Sequence, residues 1–188
     1  MSNKRVLVIG SGGREYAFAW KFSIDSEVDR VYCAPGNGGT QSFATNLDLN
    51  LNNHNHVLDA IKTHKIDITV IGPEGPLADG IVDYLESFGV RVFGPDKFAS
   101  QLESSKLFAR DIMKEYNIPQ PKYIKCSSKN DVIDVKNNWG FPLVIKADGL
   151  AAGKGVIICN DESSFEDAMD VMFDNPQFGD ASRSVSVE

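Results

Sequence analysis

Four short apolar runs constrain this chain most. They are RVLVIG (Arg5–Gly10), RVYCA (Arg30–Ala34), IDITVIG (Ile66–Gly72) and VRVFG (Val90–Gly94). Each is too apolar to leave one face in water, so each must be covered on both sides. Between them lie REYAFAWKF, HVLDAIKTH and ADGIVDYLESFG, with the spacing of amphipathic helices. The first of these places Tyr16, Ala19 and Trp20 near one face, and Gly89 closes the last. Strand–helix alternation of this kind predicts an α/β domain, an open parallel Rossmann-like sheet with helices on both faces. It extends to about Leu102. In such a sheet the strand C-termini line one crevice, and ligands bind there.

After Leu102 the pattern changes. ESSKLFARDIMKEYN, residues 103–117, reads as a helix capped by Ser104 or Ser105 and ended by NIPQP. Strand KYIKC, helix NDVIDVKNNWG, strands PLVIKAD and GVIIC, helix SSFEDAMDVMF and a final strand within SVSVE follow. This is a small α+β unit. The expected organisation is a first domain over 1–102, a connecting helix over 103–121 and a second unit over 122–188.

Composition narrows the function. The 188 residues carry a formal net charge of -7 and no long basic run. Nucleic acid is therefore not the expected partner, because backbone binding needs clustered Lys and Arg. No run is long enough to cross a membrane, and the N-terminus enters a strand without a signal-peptide core. Cys33, Cys126 and Cys159 are far apart and odd in number, which argues against a disulfide framework or zinc site and for a reducing cytoplasm. His54 and His56 in NNHNH read either as a metal pair or as a solvated loop. His64 reads as helix surface, and Trp20 and Trp139 as core or interdomain packing.

Three Gly/Pro-rich turns follow three successive strands. In the first, Gly10, Gly12 and Gly13 lie between strand one and its helix, as in a dinucleotide fingerprint. Glu15 stands where that fingerprint needs its third glycine, and strand two ends in APGNGG rather than near an acidic residue. Both departures count against NAD. The second turn holds Gly36, Asn37, Gly38 and Gly39, and the third holds Pro73, Glu74 and Gly75. Singly these are turn chemistry; together at one sheet edge they suggest a pocket with exposed backbone N–H groups. Glu74 reads equally as a partner for a ribose hydroxyl or amine and as a helix N-terminal acid.

The stretch VIKADGLAAGKGVIIC, Val144–Cys159, is close to a P-loop and is not one. Asp148 replaces the first glycine, Gly155 replaces the Ser/Thr, and the β-branched GVIIC continues as a strand rather than a helix. The stretch therefore reads as a hairpin whose Gly149–Gly155 loop can fold over phosphates and donate backbone N–H groups. Lys146 shares a strand face with Val144, and Lys154 sits at the loop tip. Lys106 lies at a helix N-terminus, where a cation is disfavoured unless an anion is held there.

Taken in order, GSGGRE, APGNGGT, GPEGPL, QLESSK, KADGLAAGKGV and NPQFGDA resemble the N-terminal part of the phosphoribosylamine–glycine ligase family, ATP-grasp enzymes also called glycinamide ribonucleotide synthetases. Each motif is weak; the ordered set is specific and spans essentially the whole chain. The resemblance implies a pre-ATP-grasp substrate domain followed by a partial α+β ATP-grasp lid. It implies ATP-dependent ligation of glycine to 5-phosphoribosylamine through glycyl phosphate, in purine biosynthesis in the cytoplasm. It places phosphoribosylamine at Gly10, Gly12, Gly13, Arg14, Glu15, Gly36, Asn37, Gly38, Gly39, Pro73, Glu74 and Gly75. It places ATP at Lys106, Lys146, Gly149, Leu150, Ala151, Ala152, Gly153, Lys154, Gly155 and Glu188. The ligands for Mg²⁺ or Mn²⁺ are expected beyond Glu188, and the complete enzyme is expected to be a monomer or weak dimer. A chain ending at Glu188 is thus expected to be an inactive piece of a longer ligase. One departure is Tyr16, where the family usually has His.

Overall fold

The computed structural model describes residues 4–151, 154–179 and 184–188. The chain divides into two compact units, Met1–Ser100 and Gln101–Glu188. No described helix is long and apolar enough to cross a membrane.

The first unit is built on a five-stranded parallel sheet. Its strands are β1 (Lys4–Gly10), β2 (Val28–Pro35), β3 (Thr45–Asn46), β4 (Ile68–Ile71) and β5 (Val92–Phe93), in the order β3-β2-β1-β4-β5. β1 is central, and Val6, Leu7, Val8 and Ile9 are fully buried. Alternate residues enter opposite layers: Leu7 and Ile9 join one apolar cluster, Val6 and Val8 another. Each such side chain contributes about 1.5–3 kcal/mol by leaving water. The two-residue β3 was not expected, because TN lacks any strand signature; it pairs with Tyr32 and Cys33 at the sheet edge.

Helices α1 (Gly13–Ser23) and α2 (His54–His64) follow the expected alternation. The expected helix over 78–89 is two helices, α3 (Glu74–Asp79) and α4 (Ile81–Ser87), joined at Gly80, whose φ of 92° breaks the helix. In α1, Ala19 is buried, while Trp20 is 49% exposed, contrary to the packing expected of it. The polar NNHNH segment is not a solvated loop throughout. Asn53 caps α2 by accepting the His56 N–H, and His54 Nε2 lies 3.1 Å from Asp79 Oδ2. His64 is half-buried against the Tyr32 ring.

The second unit carries a four-stranded antiparallel sheet: β6 (Ile124–Cys126), β7 (Leu143–Ala147), β8 (Val156–Cys159) and β9 (Val185–Val187), ordered β6-β9-β7-β8. β9, last in sequence, is interior to the sheet and fully buried. The helix expected from Glu103 is interrupted. α5 (Gln101–Ser104) ends before Ser105, which caps α6 (Lys106–Glu115) by accepting the Phe108 N–H at 3.1 Å. Helices α7 (Lys129–Trp139) and α8 (Glu162–Met169) cover a core of Cys126, Leu143, Ile145, Cys159, Phe165 and Met172. Trp139 packs at its margin, under Lys122. All three cysteines are buried and unpaired, and burial pushes the Cys33 and Cys126 thiols up to about 11.

Candidate functional site

In the first unit, the turns that follow β1 and β4 are organised by one buried carboxylate. Glu15 is only 4% exposed. Its Oε2 accepts the Gly12 N–H at 2.7 Å and its Oε1 accepts Arg14 Nε at 2.9 Å. A Cβ at Gly10 would stand 2.4 Å from Glu15 Cγ, and one at Gly72 would stand 2.2 Å from Oε1. Glycine is therefore required at both strand ends to admit the Glu15 side chain. The residue that breaks the dinucleotide fingerprint is the one around which the turn is built.

The other two turns are tied to this centre. Arg14 Nη2 lies 3.7 Å from Glu74 Oε2, and Glu74 opens α3 behind Pro73, as the helix N-terminal reading of that acid expects. Asn37 Nδ2 donates to the Ser11 carbonyl at 2.9 Å, while Asn37 Oδ1 accepts the N–H groups of Gly39 and Thr40. Gly36, with φ of 69°, packs directly on the Asn46 amide. Tyr16 lays its ring against Gly39, where a Cβ would meet it at 2.8 Å, and sets an edge on Phe43 at 5.3 Å. Tyr16 is thus a packing residue of the second turn.

Gly13, Gly38 and Gly75 are different. None has positive φ, and a Cβ at any of them would meet nothing within 4 Å. One such glycine lies on each of the three turns, and the chain's own packing does not demand any of them. They leave open space beside the backbone at one position in each turn.

In the second unit, a cavity of about 380 Å³ is lined by Lys106, Arg110 and Lys146 with Glu103 and Glu188, and by apolar Met113 and Val156. Lys146 projects from β7 on the half-buried face that it shares with Val144. Glu188 Oε2 accepts Lys146 Nζ at 2.6 Å, and its Oε1 accepts Arg110 Nε at 3.1 Å as well as Nη2. Burial alone would raise the Glu188 pKa; the bonds from Lys146 and Arg110 outweigh it and hold the carboxyl below its usual range. Burial lowers the Lys106 pKa, and Lys146 lowers it further, while Asp148 opposes both.

Lys106 is reconciled with its helix by Asp148. The Asp148 carboxylate accepts the Leu107 N–H at 3.1 Å and the Ser105 hydroxyl at 3.1 and 3.2 Å, so the anion at this helix N-terminus is a side chain of the same unit. Lys106 Nζ itself donates to the Gly149 carbonyl at 3.0 Å.

The loop of residues 149–155 joins antiparallel β7 and β8. Gly149 has φ of 121°, and Leu150 is exposed. The Ala151 carbonyl accepts the Lys154 N–H at 2.9 Å, and a Cβ on Gly155 would stand 2.6 Å from that of Ala151. Ala152 and Gly153 lie outside the described residues. Lys154 is exposed and does not line the cavity. Arg110 does line it; the sequence signal for it is its position four residues after Lys106 on α6, with Met113 three further on the same stripe.

A parallel α/β unit with three glycine turns, together with an antiparallel unit carrying lysines under a glycine hairpin, defines the two-unit class to which ATP-grasp proteins belong. Residues 4–103 match the family model of the phosphoribosylglycinamide synthetase N domain, and residues 104–188 that of its ATP-grasp (A) domain. The chain belongs to the phosphoribosylglycinamide synthetase family. It is similar to the phosphoribosylamine–glycine ligase of Clostridium acetobutylicum, at 41% identity over 98% of this chain and 44% of that protein. The crystal structure of the Thermotoga maritima phosphoribosylamine–glycine ligase superposes with a TM-score of 0.74 at 30% identity, covering 98% of this chain and 43% of that one. An N5-carboxyaminoimidazole synthetase from Staphylococcus aureus, solved with ADP, shares the fold alone, with a TM-score of 0.75 at 16% identity over 98% of this chain and 47% of that one. The chain thus spans less than half the length of these proteins.

Proposed function

We propose that the chain contributes to an ATP-dependent ligase that joins glycine to 5-phosphoribosylamine. The first unit holds the amine substrate at its three glycine turns, and the second holds ATP. The observation that carries this reading is the cation-lined cavity beside the glycine hairpin, in a family whose second domain is an ATP-grasp domain.

The chemistry follows from charge and position. ATP phosphorylates the glycine carboxylate to glycyl phosphate, and the phosphoribosylamine nitrogen displaces phosphate, leaving glycinamide ribonucleotide and ADP. Transfer of a phosphoryl group depends on alignment and neutralisation of developing charge. Lys106 and Lys146 supply fixed positive charge to phosphate oxygens, and the hairpin loop from Gly149 to Gly155 supplies backbone N–H groups and covers them. In the first unit, Gly13, Gly38 and Gly75 let substrate approach the backbone closely, and Arg14 and Glu74 offer a charge pair to its phosphate and amine.

The described residues contain no group of three His, Cys, Asp or Glu side chains able to hold a metal ion, and Glu188 is engaged by two cations. The ligands for Mg²⁺ or Mn²⁺ are proposed to lie outside the described residues.

The test is ADP release by the complete gene product. Release that requires glycine and phosphoribosylamine together is expected; release indifferent to glycine overturns the proposal. Dependence on another carboxylate and amine would point to a different ATP-grasp ligase. Ribose-phosphate binding without ADP release would point to a non-catalytic module.

A further inference from the structure

Arg110 has no part in the reading above, yet it is the most fully engaged cation of the cavity. Its side chain is 14% exposed, and Nε and Nη2 both point to Glu188 Oε1, while Lys146 Nζ takes Oε2. Glu188 is the one carboxylate shared by both cations, and its side chain is 7% exposed.

The charge arithmetic decides what this arrangement does. Glu188 with Lys146 alone would be a neutral pair, and the lysine would offer little to an incoming anion. Arg110 adds a second cation on the same carboxylate. The group of three then keeps one net positive charge. The whole lining has three cations against the two carboxylates Glu103 and Glu188, and removing Arg110 would make it neutral. Geometry points the same way. Both guanidinium donors converge on Glu188 Oε1 and leave Oε2 to the Lys146 ammonium. The other oxygen then aims the Lys146 ammonium in one direction.

We propose that Arg110 is a positioning residue of the nucleotide site: by saturating Glu188 Oε1 it orients Lys146 and keeps the cavity net cationic for a polyphosphate. The proposal rests on the nucleotide reading of this cavity. Arg110 also holds its own surroundings, with Nη1 at 3.5 Å from Gln120 Oε1 and its guanidinium over the Tyr123 ring. Its loss therefore disturbs packing too, and the test must separate the two effects.

The complete gene product is titrated with ATP and with inorganic tripolyphosphate by calorimetry at low ionic strength, alongside thermal melting. Arg110→Met is expected to weaken both ligands about tenfold or more, from the loss of one nearby charge. Arg110→Lys restores the charge with fewer donors and is expected to recover most of the affinity. Glu188→Gln leaves all three cations in place but removes the carboxylate that aims Lys146, and is expected to weaken ATP binding relative to tripolyphosphate; equal tightening of both ligands overturns the positioning role even where Arg110→Met does not fold. Wild-type affinity in Arg110→Met at an unchanged melting temperature overturns the proposal. So does Arg110→Lys as weak as Arg110→Met when both melt normally, since packing alone would then be at work. A wild-type protein that binds neither ligand overturns the nucleotide reading itself, and this inference with it.

Discussion

The Asp148 carboxylate accepts the Leu107 backbone N–H at 3.1 Å and thereby closes the N-terminus of α6 from the far end of β7. A helix start with Lys106 as its first residue would otherwise carry cation against dipole. Removing this carboxylate in Asp148→Ala is expected to cost about 1–2 kcal/mol, the worth of a helix cap with its charge. The Lys106 pKa should fall further as well, because Asp148 is the group that raises it. Denaturant unfolding followed by Trp139 fluorescence in a Trp20→Phe background measures the first effect. An unchanged midpoint would remove Asp148 from the role of cap.

Gly72 and Glu15 form the corresponding pair in the first unit. A methyl at Gly72 would stand 2.2 Å from Glu15 Oε1, closer than any atom tolerates. Gly72→Ala is expected to destabilise by about 1–3 kcal/mol, as overpacking does. Glu15→Ala alone should also destabilise, since it strips the Gly12 N–H of its acceptor. In the double variant the added methyl occupies space that Glu15 has vacated, so the two costs should fall short of their sum. Strict additivity in that cycle would show that the two side chains do not compete for one space.

The strands were legible because RVLVIG and its successors are too apolar for any other fate, and glycines at their ends marked the turns. The interior position of β9 was not legible. SVSVE shows a strand, but nothing in five residues names the neighbours that it inserts between. The residues flanking Gly80 keep helical spacing and predict one helix, and only its positive φ reveals the break. Lys106 raised the correct question in sequence, yet its answer lay 42 residues away in Asp148, beyond the reach of local pattern. Arg110 is illegible for a related reason: an arginine on an amphipathic helix usually faces water, and what turns this one inward is Glu188 at the end of another strand.

The Glu188 cluster sets an acid limit on the second unit. Glu188 has its folded-state pKa lowered by Lys146 and Arg110 despite burial, so its contribution to stability is complete above the unfolded value. That contribution is lost as pH falls through the lower folded-state value. Unfolding free energy should therefore decline below about pH 4.5 more steeply than in Glu188→Gln, whose amide does not titrate. Equilibrium unfolding at a series of acidic pH values checks this. Parallel curves for the two proteins would show that the pair is not formed in solution.

Gly38 and Gly75 separate binding from stability. Neither has positive φ, and a Cβ on either would meet nothing within 4 Å, so alanine at each should fit the chain itself. Gly75 lies in the first turn of α3, where alanine is a better helix former by up to about 1 kcal/mol. Gly38→Ala and Gly75→Ala are therefore expected to hold the unfolding midpoint or raise it slightly. If the three turns cradle a ribose phosphate through open backbone, the same methyl groups occupy the ligand's space. Affinity for ribose 5-phosphate, a stable analogue of the amine, should then fall about tenfold while the fold is intact, as expected when backbone approach is blocked at 1–2 kcal/mol of lost contact. Calorimetric titration beside denaturant unfolding reads both quantities on the same samples. Alanine variants that bind as tightly as the parent would move the substrate away from these turns, and variants that unfold early would show that the glycines serve packing after all.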